Sequence, residues 1–176
     1  YAPRREKLHG SVHGVCHFCQ KYFWKIGNQM YLYMKYMLDC SDAGYTHEEK
    51  HELWKTLYNM FHMIFPNQDF GFWHDCLARI SFFMALESGK VGAFERAMRE
   101  LEQMLIHIEK NQGFTEISHS SLLVNKIKIN QTNIAKSSEE TLGHAYLRYL
   151  NNNDVIFASI KETPRYIKIK KRLSSL

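Results

Sequence analysis

Between Thr46 and Trp54 the chain reads THEEKHELW, and within it His47-Glu48-Glu49-Lys50-His51 has the H-E-x-x-H spacing of zinc peptidases. Two imidazoles one helical turn apart can grip a zinc ion while the intervening Glu48 polarises a bound water. That chemistry also needs a third protein ligand, a helix buried deeply enough to keep the metal dry, and usually a preceding strand to bind the substrate backbone. Here Ser41-Asp42-Ala43-Gly44-Tyr45 precedes the motif and reads as loop, so the motif opens a helix in an exposed first turn. Thr46 and Glu49 form an S/T-x-x-E capping box, which gives part of the pattern a purely structural reason. Downstream, Leu53, Trp54, Leu57, Tyr58, Phe61, Ile64 and Phe65 make an apolar stripe at helical spacing that turns the His47/Glu48 edge towards water. A zinc-dependent hydrolase acting through His47, Glu48 and His51 is the weaker reading, and a capped helix start the stronger.

A second set with metal-ligating types is HGSVHGVCHFCQ, where His9, His13 and His17 recur every fourth residue and Cys16 and Cys19 form C-x-x-C. On a helix, however, Leu8, Val12, Cys16, Cys19, Phe23 and Ile26 share one stripe, so both thiols point where hydrophobes point. A C-x-x-C zinc site normally has a second ligand pair, whereas Cys40 stands alone and Cys76 has only His74 beside it. No G-x-S-x-G, glycine-rich phosphate loop or dinucleotide fingerprint is present. Ser118-His119-Ser120-Ser121 places a histidine among serines in a loop with no acid close by, where serine serves turn chemistry. The sequence therefore points to a protein that is not an enzyme, with no metal and no cofactor.

The elements that carry these residues are helical. Hydrophobic residues make up 45% of the chain and aromatic ones 14%, while 3 prolines and 9 glycines interrupt 176 residues. Few breakers and long 3.6-residue periods predict helices over about 6–26, 29–40, 46–65, 69–88, 93–110, 138–150 and 163–173. Gly27-Asn28, Gly44 and Phe65-Pro66-Asn67-Gln68-Asp69 supply the breaks, with Asp69 placed to cap the next helix. Short turns between helices of similar length make antiparallel neighbours. The expected fold is thus all-α: stacked antiparallel helical hairpins over 1–110, a connecting loop over 111–137, and C-terminal helices over 138–176 packing on the array as one compact unit. GAFERAMRELEQML from Gly92 has the spacing of the second half of a tetratricopeptide unit, with Ala97 allowing close helix packing, while GNQMYL from Gly27 is a degenerate copy with Leu32 at the small position.

The net charge of +5 belongs to the last segment, where Lys161, Arg165, Lys168, Lys170, Lys171 and Arg172 face only Glu162. Such a tail reads as a solvated helix face rather than a DNA-reading surface. No apolar run approaches the ~20 residues of a membrane helix and no signal peptide is apparent, so a cytoplasmic, membrane-free protein with reduced thiols is expected.

Several separated stretches resemble one family. ELWKTLYNMFHMIFPNQDFGFWHDCLARISFFMALESGKVGAFERAMRELEQMLIHIEK, SHSSLLVNKIKI and ETPRYIKIKKRL resemble the helical C-terminal half of helix-turn-helix (Xre-type) transcriptional regulators of Firmicutes. Pro3-Arg4-Arg5-Glu6 looks like the junction after the family's DNA-binding head, and Pro66 with Asp69-Phe70-Gly71 like its Pro-x-x-Asp-aromatic turn. His107, Leu123-Val124-Asn125 and Arg165-Tyr166 match further positions, while Ile108 departs from the usual small residue. The resemblance implies a regulatory sensing and dimerisation domain that binds a peptide or protein partner in a helical groove, forms a homodimer, and reaches DNA only through an N-terminal head absent from this chain. Helix phase nominates His17, Lys21, Trp24, Arg79 and Phe82 for the groove. A constitutive interaction scaffold without a ligand is the alternative; it would line that face with long charged side chains rather than aromatics.

Overall fold

The computed structural model describes residues 25, 29–38, 44–71, 73–111, 116–118, 120, 121, 125, 128–130 and 140–176. Among them the chain is all-helical but for one short ribbon. We label the helices α1 (29–38), α2 (His47–Ile64), α3 (Trp73–Lys90), α4 (Phe94–Asn111), α5 (Leu142–Asn152) and α6 (Pro164–Ser174). Apart from residue 25, the helix expected over 6–26, with Cys16, Cys19, His17, Lys21 and Trp24, lies outside the described residues, as does Cys40.

Local chemistry sets the helix ends. The capping box forms as expected: Thr46 Oγ1 accepts from the Glu49 amide at 3.2 Å and Glu49 Oε2 from the Thr46 amide at 2.8 Å. The helix expected from residue 69 begins instead at Trp73, because Gln68 and Gly71 adopt positive φ (58° and 56°) and prolong the turn. Asp69 therefore does not cap α3; its carboxylate accepts from the Ser120 amide, while Asn67 donates to Ser120 Oγ at 2.8 Å and Ser121 Oγ to the Ile64 carbonyl at 2.7 Å. The serine-rich loop is thus stitched to the α2–α3 turn. Gly92, at φ 75°, reverses the chain between α3 and α4. Thr141 and Thr163 cap α5 and α6, and Pro164 sits in the first turn of α6. The expected 111–137 loop carries an antiparallel ribbon, β1 (Glu116–Ser118) with β2 (Lys128–Asn130), in which Ile117 lies opposite Ile129.

The helices form two layers. In one, α1 comes within electrostatic range of α3 at Tyr31 and Arg79, and α3 meets α5 where the Phe82 and Tyr146 ring centroids lie 5.9 Å apart. In the other, α2 is tied to α4 by His51–Glu100, and α4 to α6 by Arg165–Glu102 and Arg172–Glu109. Hairpins stacked side by side produce this segregation of odd from even helices. Two cores result, one around α1, α2 and α3 and the other around α3 to α6. The central helix α3 serves both, with Leu77, Ile80 and Met84 in the first, Ala78, Phe82 and Ala85 in the second, and Phe83 against each. Its near-continuous burial follows from having neighbours on every side but one. Ala97 is fully buried on α4, as the repeat spacing requires.

Candidate functional site

The H-E-x-x-H residues are all committed to contacts between helices. His47 Nδ1 lies 2.6 Å from Glu87 Oε2, which also receives Lys90 through its other oxygen at 2.8 Å. His51 Nε2 lies 2.5 Å from Glu100 Oε1, whose second oxygen accepts from Ser88 Oγ at 2.7 Å. Ser88 in turn accepts from Arg96 Nε at 2.9 Å, and Arg96 closes the chain by gripping both oxygens of Glu48 at 2.8 and 2.9 Å. That hydrogen bond holds the Glu48 carboxyl below its ordinary range. The two imidazoles therefore turn to different carboxylates, and the glutamate that would polarise water is an ion-pair partner. His47 and Glu48 are on the exposed edge as the stripe predicted, whereas His51 is buried. What this arrangement can do is clamp α2 onto α3 and α4. Among the described residues no cluster of histidine, cysteine or acidic side chains has the geometry to hold a metal ion.

A second buried network lies further along α2. His74 Nδ1 and His107 Nδ1 are 2.8 Å apart, and His107 Nε2 is 2.8 Å from Tyr58 Oη. Burial drives His74 down to about 4 and His107 to about 3, with nearby positive charge adding to both shifts, while burial pushes Tyr58 up to about 12. The phenol is thus a hydroxyl that donates to His107 Nε2, which leaves His107 Nδ1–H to donate to His74 Nδ1. Phe70 packs edge-on against both rings. His107, one of the family-like positions, is consequently a core residue of the α2–α3–α4 joint.

The open face of the α1–α3–α5 layer holds the remaining cluster. Arg79 stands half exposed on α3, donating to Asp75 one turn earlier at 2.9 and 3.4 Å, with Tyr31 of α1 in its electrostatic range. Burial opposes the guanidinium charge, but Asp75, with smaller contributions from Tyr146 and Tyr31, outweighs it and the group stays charged. From α5, the fully buried Tyr146 brings its hydroxyl into the electrostatic range of Asp75, Arg79, Tyr31 and Cys76, with no hydrogen-bond partner among the described residues. Burial holds Tyr31 at about 12 and raises Tyr146 well above its ordinary value, so both phenols remain protonated. Both Asp75 oxygens are engaged by Arg79, whereas the guanidinium keeps N–H groups beyond those contacts. The cluster is therefore rich in donors, short of acceptors, and close to neutral overall.

Of the groove positions nominated by helix phase, Arg79 lies on this face, while His17, Lys21 and Trp24 are outside the described residues. Phe82 requires correction, since only 5% of it is exposed and it packs inward against Tyr146 and Tyr149 as core. Tyr31, Asp75 and Tyr146 were missed. Asp75–Arg79 was legible as an i,i+4 pair, but the approach of tyrosines from helices far apart in sequence leaves no local signal. The buried phenol hydroxyl and the His74–His107 contact have the same origin. Comparisons with protein-family models, with curated proteins and with solved structures find no match to this chain.

Proposed function

We propose that the chain is a regulatory, non-enzymatic helical domain of the helix-turn-helix regulator kind, working in the cytoplasm. In this reading it holds a peptide or protein partner across the open face of α1, α3 and α5 and pairs with a second copy. The observation that carries it is the half-exposed Arg79 guanidinium, paired with Asp75, together with the Tyr149 ring of α5, which is 41% exposed. The spare guanidinium N–H donors of Arg79 suit the carbonyl groups of an extended peptide, with the buried Tyr31 and Tyr146 packed beneath that face. Packed helices lie about 8–10 Å apart, so the strip from α1 to α5 spans about 16–20 Å, the length of about five or six extended residues. The part-exposed Tyr149 ring also favours a sensing face over a constitutive scaffold, which would present long charged side chains. Among the described residues no helix is long and apolar enough to cross a membrane.

Selection from a displayed library of random heptapeptides tests this reading. Peptides enriched on the wild-type chain should lose at least tenfold in affinity, about 1.4 kcal/mol, on Arg79→Ala. Arg79 is half exposed, so the variant should keep its fold. Absence of any enriched peptide, or enriched peptides indifferent to Arg79→Ala, refutes the placement of the site.

A further inference from the structure

Helix α1 is held on the array largely by sulfur. Its inward stripe is Met30, Tyr31, Met34, Met37 and Leu38, so three of the chain's eight methionines lie on one contact surface. Tyr31 and Leu38 are buried, with the Tyr31 ring centroid 6.1 Å from that of Trp54 on α2. The three methionines are only half-buried where they pack against the same core. At the rim Tyr45 Oη donates to Met37 Sδ at 3.9 Å, and Tyr45 is itself exposed, which puts this sulfur at the edge of solvent. Leu32, Tyr33 and Tyr36 on the other side of α1 are exposed, so the inward stripe carries the attachment. The remaining methionines differ in setting: Met84, Met98 and Met104 are buried in α3 and α4, Met60 is half-buried on α2, and Met63 is 81% exposed.

A thioether is an apolar side chain that oxygen transfer makes polar. When hydrogen peroxide attacks, a sulfur lone pair forms the S–O bond, the O–O bond breaks, sulfur is oxidised by two electrons and water leaves. On Met63 the new oxygen would meet only solvent. On Met30, Met34 or Met37 it would carry a strong dipole into the contact that holds α1, where a polar group without a partner is costly. We propose that Met30, Met34 and Met37 form an oxidation site through which hydrogen peroxide releases α1 from the array. The reverse step takes two thiols of a reductase, which give up two electrons and two protons and become a disulfide while the sulfoxide oxygen leaves as water. Release of α1 would carry Tyr31 away from Arg79, but the proposal stands on the packing of α1 and is independent of any peptide bound there.

Amide hydrogen exchange read by mass spectrometry on the 176-residue chain, before and after graded hydrogen peroxide treatment, tests it, with the same spectra counting oxygen on each methionine. Met63 should oxidise first, the α1 methionines next, and Met84, Met98 and Met104 last. Exchange should be unchanged while only Met63 is oxidised, then rise about tenfold in α1 and not in α4 once the α1 methionines carry oxygen. Dithiothreitol alone, which reverses disulfides and not sulfoxides, should leave α1 loose, and adding a methionine sulfoxide reductase should restore it. A variant with Met30→Leu, Met34→Leu and Met37→Leu keeps the apolar volume and should hold slow α1 exchange through the same treatment. Unchanged α1 exchange with all three sulfurs oxidised overturns the proposal. Recovery with dithiothreitol alone, or peroxide loosening that persists in the leucine variant, assigns the effect to thiols or another group and overturns it as well.

Discussion

Acidifying the protein from about pH 7.5 to about pH 5 should remove a sizeable part of its stability through the buried His74–His107 pair. Both imidazoles are held neutral, His107 down at about 3 and His74 at about 4, against an ordinary value of 6.5. A base whose folded value is depressed binds its proton more readily in the unfolded chain. The stability from its burial is therefore complete above the unfolded value and is lost as pH falls below it, until the folded value is reached. At pH 5 the unfolded His107 is charged and the folded one is not, and about 1.5 pH units at 1.36 kcal/mol each gives about 2 kcal/mol. His74 acts over the same window; with half its increment taken to allow for solvent screening, the pair contributes about 3 kcal/mol. His62, lowered by burial, works in the same direction. The carboxylates lowered by their partners, Glu48, Glu49, Glu52 and Glu102, act below their ordinary value of 4.5 and stay outside this window. Urea denaturation at half-unit pH steps should show midpoints falling steeply below about pH 6.5. In parallel, imidazole proton shifts of the folded protein should show neither His74 nor His107 titrating above pH 5. Either of them titrating near 6.5 in the folded chain would refute the argument at its root.

Gly143→Ala should be strongly destabilising, since a Cβ there would lie 2.6 Å from the Leu173 carbonyl oxygen, a backbone atom that cannot step aside. Overpacking of this kind costs about 1–3 kcal/mol, whereas Gly92→Ala has open space and should lose only about 1 kcal/mol to its positive φ. Thermal melts of the two variants should rank them in that order, and the reverse order would mean that α5 and α6 are packed differently. Protein purified without added metal should contain no stoichiometric zinc, and Glu100→Gln should loosen the α2–α4 contact and lower the melting temperature. A zinc-dependent fold that collapses on chelation would show instead that His47 and His51 converge on a metal.

Much of the fold was legible because helices are written in local periods. The capping box at Thr46 and Glu49, the stripe from Trp54 to Phe61 and the turn at Gly92 each depend on residues within a turn or two of one another. Ala97 could be placed at a close helix contact from its spacing after Gly92 and is fully buried. The helix start near residue 70 was misplaced because Asp69 has a good capping side chain, yet bonding to Ser120, fifty-one residues away, won its carboxylate. The same limit governs the candidate sites. His47, Glu48 and His51 advertise chemistry by spacing, but the residues that decide their role, Glu87, Arg96 and Glu100, come from other helices.

Phe82 and Arg79 lie less than one helical turn apart, so phase alone set both on one face; the arrival of α5 then buried the aromatic and left the guanidinium half open. Sequence by itself determined that the described chain is helical, roughly where its helices run and the capping box that opens α2, because hydrogen bonding along a helix and the burial of one stripe are short-range constraints. Only the tertiary structure decided which polar groups meet: Tyr31 with Arg79, His74 with His107, and the unsatisfied hydroxyl of Tyr146 between α3 and α5. The physical reason is that these encounters depend on helix packing distances and rotations, which no run of neighbouring residues encodes.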